Sequence, residues 1–320
     1  MTPTRLPALE ALARGFVNVR ANRELIVVQL AAGLLLAASI VVPFLLLFAR
    51  LGVPLQLVSA GDPDALAKAF AAIDLTRLAP MLGIGLLLML VVGTLVFILY
   101  CWFQAGTLAV LLAGEAQAPL ARSAPAAVFR TFSWAGFVGW ASRHGLRIFW
   151  INNLFLIFLT LLLFALALPF LLGAWLSEGT FSAVGCAVGC GLALPLGFVA
   201  AVLLLAMMVA QICAVEEGAT VWRATRRAFA ITGNRLGGLL LLYLLLIVGS
   251  IAVTTFFGGL GLILNLALAR LELLQSVLAA VLGFVEFITS VGLTLVMTAA
   301  IVALVRSEMR MESAAPRTGA

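Results

Sequence analysis

Few residues of this chain could do chemistry, and most of them are polar side chains set within long apolar runs. Glu286 is the one acid deep inside such a run, where a carboxyl group must be protonated, paired or hydrated. It could carry a proton or anchor a polar ligand. The alternative, which we favour because no second intramembrane charge accompanies it, is a structural side chain hydrogen-bonded to Gln29, Gln104 or Gln211.

The adjacent acids Glu216 and Glu217 invite comparison with intramembrane proteases of the CAAX type, whose paired glutamates work with arginine and histidines. Arg223 follows too late for that pattern, and His144 is the only histidine in the chain. A metal or water-activating site needs more ligands than these. We therefore expect the acids to mark a helix end where they meet Arg223 or Arg226 in water, and we expect no enzyme, no metal and no cofactor.

The composition indicates the class of protein more strongly than any motif. Hydrophobic residues make up 64% of the chain and charged residues 10%, whereas a soluble domain carries about 25% charged residues. Lipid can solvate apolar side chains on the outside of a helix bundle, and water cannot. The net charge of +6 lies on no separate polar domain, which argues against a nucleic-acid binder.

Six apolar runs each reach the roughly 20 residues that a helix needs to cross a bilayer. The fold class predicted from them is an all-α membrane protein with six transmembrane helices in a single polytopic domain. The expected spans are residues 25–49, 79–113, 148–174, 183–214, 236–263 and 276–305.

Basic residues alternate between the two sides of these spans. Fifteen of the nineteen lysines and arginines fall in residues 1–24, 114–147, 215–235 and 306–317. Cytoplasmic segments carry the excess of positive charge in multi-pass proteins. The distribution therefore predicts that both termini lie in the cytoplasm.

The basic segments also have the pattern of amphipathic helices lying in the membrane interface. In residues 221–232, Trp222 and Phe229 share an apolar helical face, and three arginines lie opposite. Such arginines could bind anionic lipid headgroups. The alternative, which we favour, is that they only set topology and anchor the surface. The candidate headgroup ligands are Arg143, Arg147, Arg223, Arg226, Arg227 and Asn234.

The alternation of basic segment, span, outer turn and span occurs three times, which predicts an internal repeat. The expected units cover residues 1–114, 115–215 and 216–308, followed by a flexible cytoplasmic tail at 309–320.

Residues 221–235, which read VWRATRRAFAITGNR, carry a resemblance to a known group. They resemble the membrane domain of glycerophosphoryl diester phosphodiesterases and the related uncharacterised bacterial inner-membrane proteins of the YciC type. Those families carry a similar basic helix that ends in Gly-Asn before a span. Some members are fused to a soluble phosphodiesterase barrel, whose metal-binding His and Glu residues these 320 residues do not contain. The resemblance therefore implies a membrane module of the bacterial inner membrane, without the hydrolase activity.

Two functions remain open from the sequence. We expect a non-enzymatic integral membrane module that binds, organises or moves lipid, or that scaffolds partners. Its expected partners are membrane lipids, with anionic ones as candidates, and not nucleic acid. The alternative is a transporter or permease for a small or amphipathic solute, with Glu286 and the glutamines along its path. A polar cavity that reaches Glu286 would favour transport, and a packed interior would favour a scaffold.

Overall fold

A computed structural model describes five segments of the chain: residues 6–50, 75–118, 125–176, 183–268 and 271–314. These residues form seven α-helices and one short 3₁₀ helix at Ala126–Phe129, and they contain no strand. The α-helices are α1 (Ala8–Ala21), α2 (Glu24–Arg50), α3 (Leu75–Gln117), α4 (Trp134–Leu176), α5 (Ala183–Glu216), α6 (Val221–Ala267) and α7 (Glu272–Ala314).

The prediction of six membrane-spanning helices is confirmed, because α2 to α7 are each long and apolar enough to cross a bilayer. One of them begins much earlier than expected: α4 starts at Trp134 rather than near residue 148. α6 spans Val221–Ala267 but consists of two helices that meet at a kink at Arg235, so its basic first helix is separate from the span that follows, as predicted. Only in α4 is the basic stretch continuous with the span helix.

The three basic stretches join their spans in three different ways. A two-residue break at Asn22 and Arg23 separates α1 from α2. α6 is kinked at its junction, where the non-helical Arg235 (φ −124°, ψ 18°) separates the helix of the basic stretch from the span helix. α4 passes from Trp134 to Leu176 as a single helix. The threefold repeat stays a prediction.

The last helix extends into the segment expected to be a flexible tail. α7 continues through residues 309–314, where Glu312 forms an ion pair with Arg227 at 3.0 Å. This contact to α6 gives the end of α7 a partner that the sequence pattern did not reveal. Residues 315–320 lie outside the described part of the chain.

Buried and exposed side chains divide the molecule into two zones. The buried ones concentrate in residues 8–28, 101–118, 129–155, 205–242 and 295–312, which we call the packed end. Away from the packed end the same helices expose leucine, valine, isoleucine and phenylalanine side chains. A lipid environment solvates such surfaces, so the exposed zone is the part of the bundle suited to the hydrocarbon core.

Helices that follow each other in the chain pack side by side from α2 to α7, and α1 packs on α7. α7 also touches α2, α3 and α5, so it lies centrally in the bundle. Gly15 allows the close approach of α1: a Cβ there would lie 2.6 Å from the Val296 carbonyl oxygen and 2.7 Å from the Ala300 nitrogen. α1 is therefore seated on α7 through backbone contact.

Candidate functional site

The packed end is held together by ion pairs between distant parts of the chain. Arg14 on α1 binds both carboxylate oxygens of Glu115 on α3, with Nη2 at 2.8 Å and Nε at 3.4 Å. Their side chains are only 6% and 5% exposed. Arg235 pairs with Glu308 in a similarly buried position. Burying these charges would be costly without such partners, so the pairs fix α1 to α3 and α6 to α7.

The paired acids at the end of α5 also bind arginines, but not the expected ones. Glu216 pairs with Arg306 at 3.2 Å, and Glu217 pairs with Arg227 at 2.7 Å. The expected partners, Arg223 and Arg226, lie on the exposed face of α6. Helical geometry explains the difference, because Arg227 follows Arg226 by about 100° around the helix and so faces α5 and α7.

Asn22 organises the chain between α3 and α4, a role that the sequence analysis did not assign. Its Nδ2 donates to the Phe129 carbonyl oxygen at 2.8 Å. Its Oδ1 accepts hydrogen bonds from the backbone nitrogens of Thr131 at 3.0 Å and Phe132 at 2.9 Å. The only signal for this role in the sequence is that Asn22 and Arg23 form a polar pair directly before the first span.

The candidate headgroup residues occupy different environments. Arg143, Arg223, Arg226 and Asn234 are exposed, and none of their side chains hydrogen-bonds to another described residue. Arg147 is half-buried. Arg227 differs from its neighbours, because it forms ion pairs with both Glu217 and Glu312. The described contacts therefore use Arg227 to join helices and leave the four exposed residues available to a ligand.

The three intramembrane glutamines bind neighbouring helices rather than Glu286. Gln211 on α5 donates to Asn152 Oδ1 at 2.5 Å and accepts from Gln104 Nε2 at 3.3 Å. Gln29 donates to Thr107 Oγ1 at 2.7 Å. Glu286 is half-buried, and its carboxyl group hydrogen-bonds to no described residue. The expected pairing of Glu286 with a glutamine is therefore absent from the described contacts, because the glutamines already have partners.

A cavity of about 510 Å³ opens beside these glutamines, between α2, α3, α5 and α7. No charged side chain is among its described lining residues. Phe287 lines it but its neighbour Glu286 does not, since consecutive residues of a helix point about 100° apart. The cavity could hold a neutral, hydrogen-bonding ligand. Its polar lining residues are Gln29, Tyr100, Gln104, Thr107, Gln211, Ser290, Thr294 and Thr298.

Within the described segments, the side chains that bind metals do not gather as a metal site would require. Among the described residues, no three His, Cys, Asp or Glu side chains lie together. His144 is buried, and its Nδ1 has no hydrogen-bond partner in the described part of the chain. Cys101 and Cys213 are buried free thiols, and Cys101 accepts a hydrogen bond from Asn152 at 3.3 Å.

Together, the helices and the cavity define a multi-pass α-helical membrane protein with a mainly apolar cavity between its spans, whose described polar lining residues carry no charge. Comparison of the chain with protein-family models, curated proteins and solved structures finds no match.

Proposed function

We propose that this protein is a non-enzymatic integral membrane module that binds anionic lipid at its packed end. One observation carries the proposal: two exposed arginines without partners among the described residues lie next to an exposed tryptophan. Arg223 and Arg226 accompany Trp222, which is 73% exposed, on the first turns of α6.

This combination matches the chemistry of a lipid headgroup layer. Indole rings favour the depth of the headgroups, and guanidinium groups bind phosphate oxygens with charge-assisted hydrogen bonds. Each arginine near an anionic surface contributes about 1 kcal/mol. The resemblance of residues 221–235 to the membrane domain of glycerophosphoryl diester phosphodiesterases agrees with a lipid-associated module, and we extend the proposal to the bacterial inner membrane.

The test compares lipid retention by the full chain and its arginine variants. Native mass spectrometry of protein purified from mixed phosphatidylglycerol and phosphatidylcholine micelles counts the lipids of each kind that remain bound. The double variant Arg223→Gln/Arg226→Gln should lose most of the preference for phosphatidylglycerol, because about 2 kcal/mol of attraction is removed. Arg227→Gln is the matched control, since Arg227 is engaged with Glu217 and Glu312. An unchanged preference in the double variant would leave these arginines as topology signals only.

The proposed orientation places both termini and the packed end in the cytoplasm. It is supported by the arginine distribution and the positive-inside rule. Single cysteines introduced at Arg130 and Lys68 test it in intact cells. An impermeant thiol reagent should label residue 68 and should leave residue 130 unlabelled until the membrane is opened. The reverse pattern would invert the orientation.

The uncharged cavity supports a second candidate function, the binding and transfer of a small polar or amphipathic solute. Its volume of about 510 Å³ lies within the roughly 300–1,000 Å³ of ordinary ligand pockets. Because Glu286 does not line the cavity, this candidate uses the glutamines rather than a proton-carrying acid.

Uptake of glycerophosphocholine, a zwitterionic polar probe, into reconstituted vesicles tests this second candidate. Gln211→Leu should abolish uptake, because it removes the amide at the centre of the network. Glu286→Gln should leave uptake intact. Uptake no faster than in protein-free vesicles would exclude glycerophosphocholine as a solute of this cavity and would favour the lipid-binding module.

A further inference from the structure

A second, larger hollow lies on the other side of α7, between α1 and α2 on one flank and α6 on the other. It encloses about 670 Å³, which is the size of a ligand site. We call it the Arg20–Arg23 groove. Its lining residues are Phe16, Val19, Arg20, Arg23, Ile26, Gly249, Val253, Thr289, Gly292, Leu293 and Val296.

Charge and apolar surface are separated along this groove. Arg20 and Arg23 are its only charged described lining residues, and they come from the end of α1 and the break that follows it. Both side chains are exposed, and neither forms an ion pair or hydrogen bond with a described residue. The rest of the lining is apolar except for Thr289, whose hydroxyl donates to the Val285 carbonyl oxygen at 2.8 Å.

The groove also lies at the level where the packed end meets the exposed apolar zone. On α7, buried residues begin at Leu295, whereas Phe284 and Val285 remain exposed. The base of the groove runs along α7 from Val296 to Thr289, a distance of about 10 Å at the helical rise. The arginines therefore lie at one end of a trough that continues into the zone suited to hydrocarbon.

Two glycines line the trough. A Cβ at Gly292 would meet no atom within 4 Å, so the space above it is open. A Cβ at Gly249 would meet only the Leu293 side chain, at 3.0 Å. The missing side chains leave a channel against the α7 backbone, where an extended apolar chain can make close contact.

We propose that the Arg20–Arg23 groove is a specific site for one phospholipid with an anionic phosphodiester headgroup. Arg20 and Arg23 bind the phosphate, and one acyl chain lies along the apolar trough over Gly292. This site goes beyond the surface association proposed above, because it holds a single lipid and uses different residues. Two positive charges without partners among the described residues favour a headgroup with net negative charge over a zwitterionic one, whose cationic group would lie near the arginines.

The probe is phosphatidylglycerol, titrated onto the full-length, delipidated protein in detergent, and native mass spectrometry gives the dissociation constant of the first bound lipid. Arg20→Gln/Arg23→Gln should raise this dissociation constant by about 25-fold, since each arginine contributes roughly fivefold near a phosphate. Phosphatidylcholine should bind the wild-type protein more weakly than phosphatidylglycerol. Water-soluble glycerol 3-phosphate, which has no acyl chain, should not compete at equal concentration.

Gly292→Leu tests the acyl-chain part of the site, because a Cβ at this position meets no atom within 4 Å and the side chain begins in the open trough. It should weaken binding of the first phosphatidylglycerol by roughly tenfold or more, which corresponds to the loss of a few methylene contacts, while helicity and thermal unfolding stay unchanged. Gly283→Leu is the matched control on the same helix. A Cβ at Gly283 also meets nothing within 4 Å, but Gly283 does not line the groove. This control should bind phosphatidylglycerol like the wild-type protein.

Three results would overturn the proposal. Equal phosphatidylglycerol binding by Gly292→Leu and wild type would exclude the trough, even if the arginine variant bound weakly. Full competition by glycerol 3-phosphate would indicate a simple anion site. If Gly283→Leu and Gly292→Leu weakened phosphatidylglycerol binding equally, the cause would be a general effect on α7. If Arg20→Gln/Arg23→Gln does not fold, the two glycine variants decide.

Lipid binding in the groove and lipid binding at the exposed arginines of α6 can be tested independently. Arg223→Gln/Arg226→Gln should keep the tight first phosphatidylglycerol and lose the more weakly held lipids. Loss of the first lipid in that variant would assign the tight site to the basic first turns of α6 rather than to the Arg20–Arg23 groove.

Discussion

The buried ion pair between Arg14 and Glu115 gives the sharpest test of how the packed end is held together. Arg14→Met leaves the Glu115 carboxylate with 5% of its side chain exposed and without its bidentate partner. Breaking a buried pair in this way costs about 3–5 kcal/mol. We expect the lower end of this range, because Arg306 and Arg310 lie beside Glu115 around a small adjoining cavity.

The double variant Arg14→Met/Glu115→Leu should recover most of that loss. Replacing both members of a buried pair by apolar residues of similar size is often neutral or stabilising. The introduced methionine would also keep a contact with the ring of Phe129, over which the Arg14 guanidinium now lies at 5.6 Å. We therefore expect the double variant within about 1 kcal/mol of the wild-type protein.

An exposed pair of nearly the same length provides the control. Arg130 and Glu24 are separated by 2.9 Å, against 2.8 Å for Arg14 and Glu115, but their side chains are 59% and 29% exposed. Solvent-exposed pairs contribute about 0–1 kcal/mol. Arg130→Met should therefore lower the free energy of unfolding by less than about 1 kcal/mol.

The free energies of unfolding can be measured by sodium dodecyl sulfate titration in mixed micelles, followed by circular dichroism. Because the Arg14–Glu115 pair is buried, each single variant should lose a large part of the free energy of unfolding. The effects of the two substitutions should also be strongly coupled in the double variant. If the losses of Arg14→Met and Glu115→Leu simply added in the double variant, the pair would not act as a unit. If Arg130→Met cost as much as Arg14→Met, burial would not be the deciding factor.

Three further predictions concern α1, the glutamine network and Glu286. Gly15→Ala should destabilise the protein by about 2–3 kcal/mol, because its Cβ meets the α7 backbone, and faster hydrogen exchange in α1 should report it. Gln211→Leu should cost about 1 kcal/mol, measured in the same titration, because it leaves Gln104 and Asn152 without their partner. Glu286→Gln should leave the free energy of unfolding equal or higher, because no described residue binds the carboxyl group; a clear loss of stability would mean that Glu286 has a structural partner.

Local composition was sufficient to predict the six spans. A helix that crosses lipid satisfies its backbone hydrogen bonds within itself, and its side chains only have to be apolar over about 20 residues. That requirement is met segment by segment, so it can be read from the sequence alone. The start of α4 could not be placed in this way, because its basic first turns could equally have formed a separate interfacial helix.

The contacts of the polar residues could not be predicted from the chain. Glu115 binds Arg14 across 101 positions, and Gln211 binds Asn152 across 59 positions. The sequence showed that such groups needed partners in an apolar setting, and it suggested Glu286 as the partner for the glutamines. The packing of the helices decided otherwise, because it turned the glutamines toward Asn152 and Thr107.

The amino-acid sequence by itself therefore determined the membrane class, the number of spans and the arginine-rich segments, since these depend on local hydrophobicity and charge. Only the tertiary structure decided where space is left between the helices. The Arg20–Arg23 groove brings α1 and the start of α2 together with Gly249 and Val253 of α6 and with α7 between Thr289 and Val296. Its shape depends on how closely α1 packs on α7 and on two glycines without side chains. These are properties of packed surfaces, and no single segment carries them.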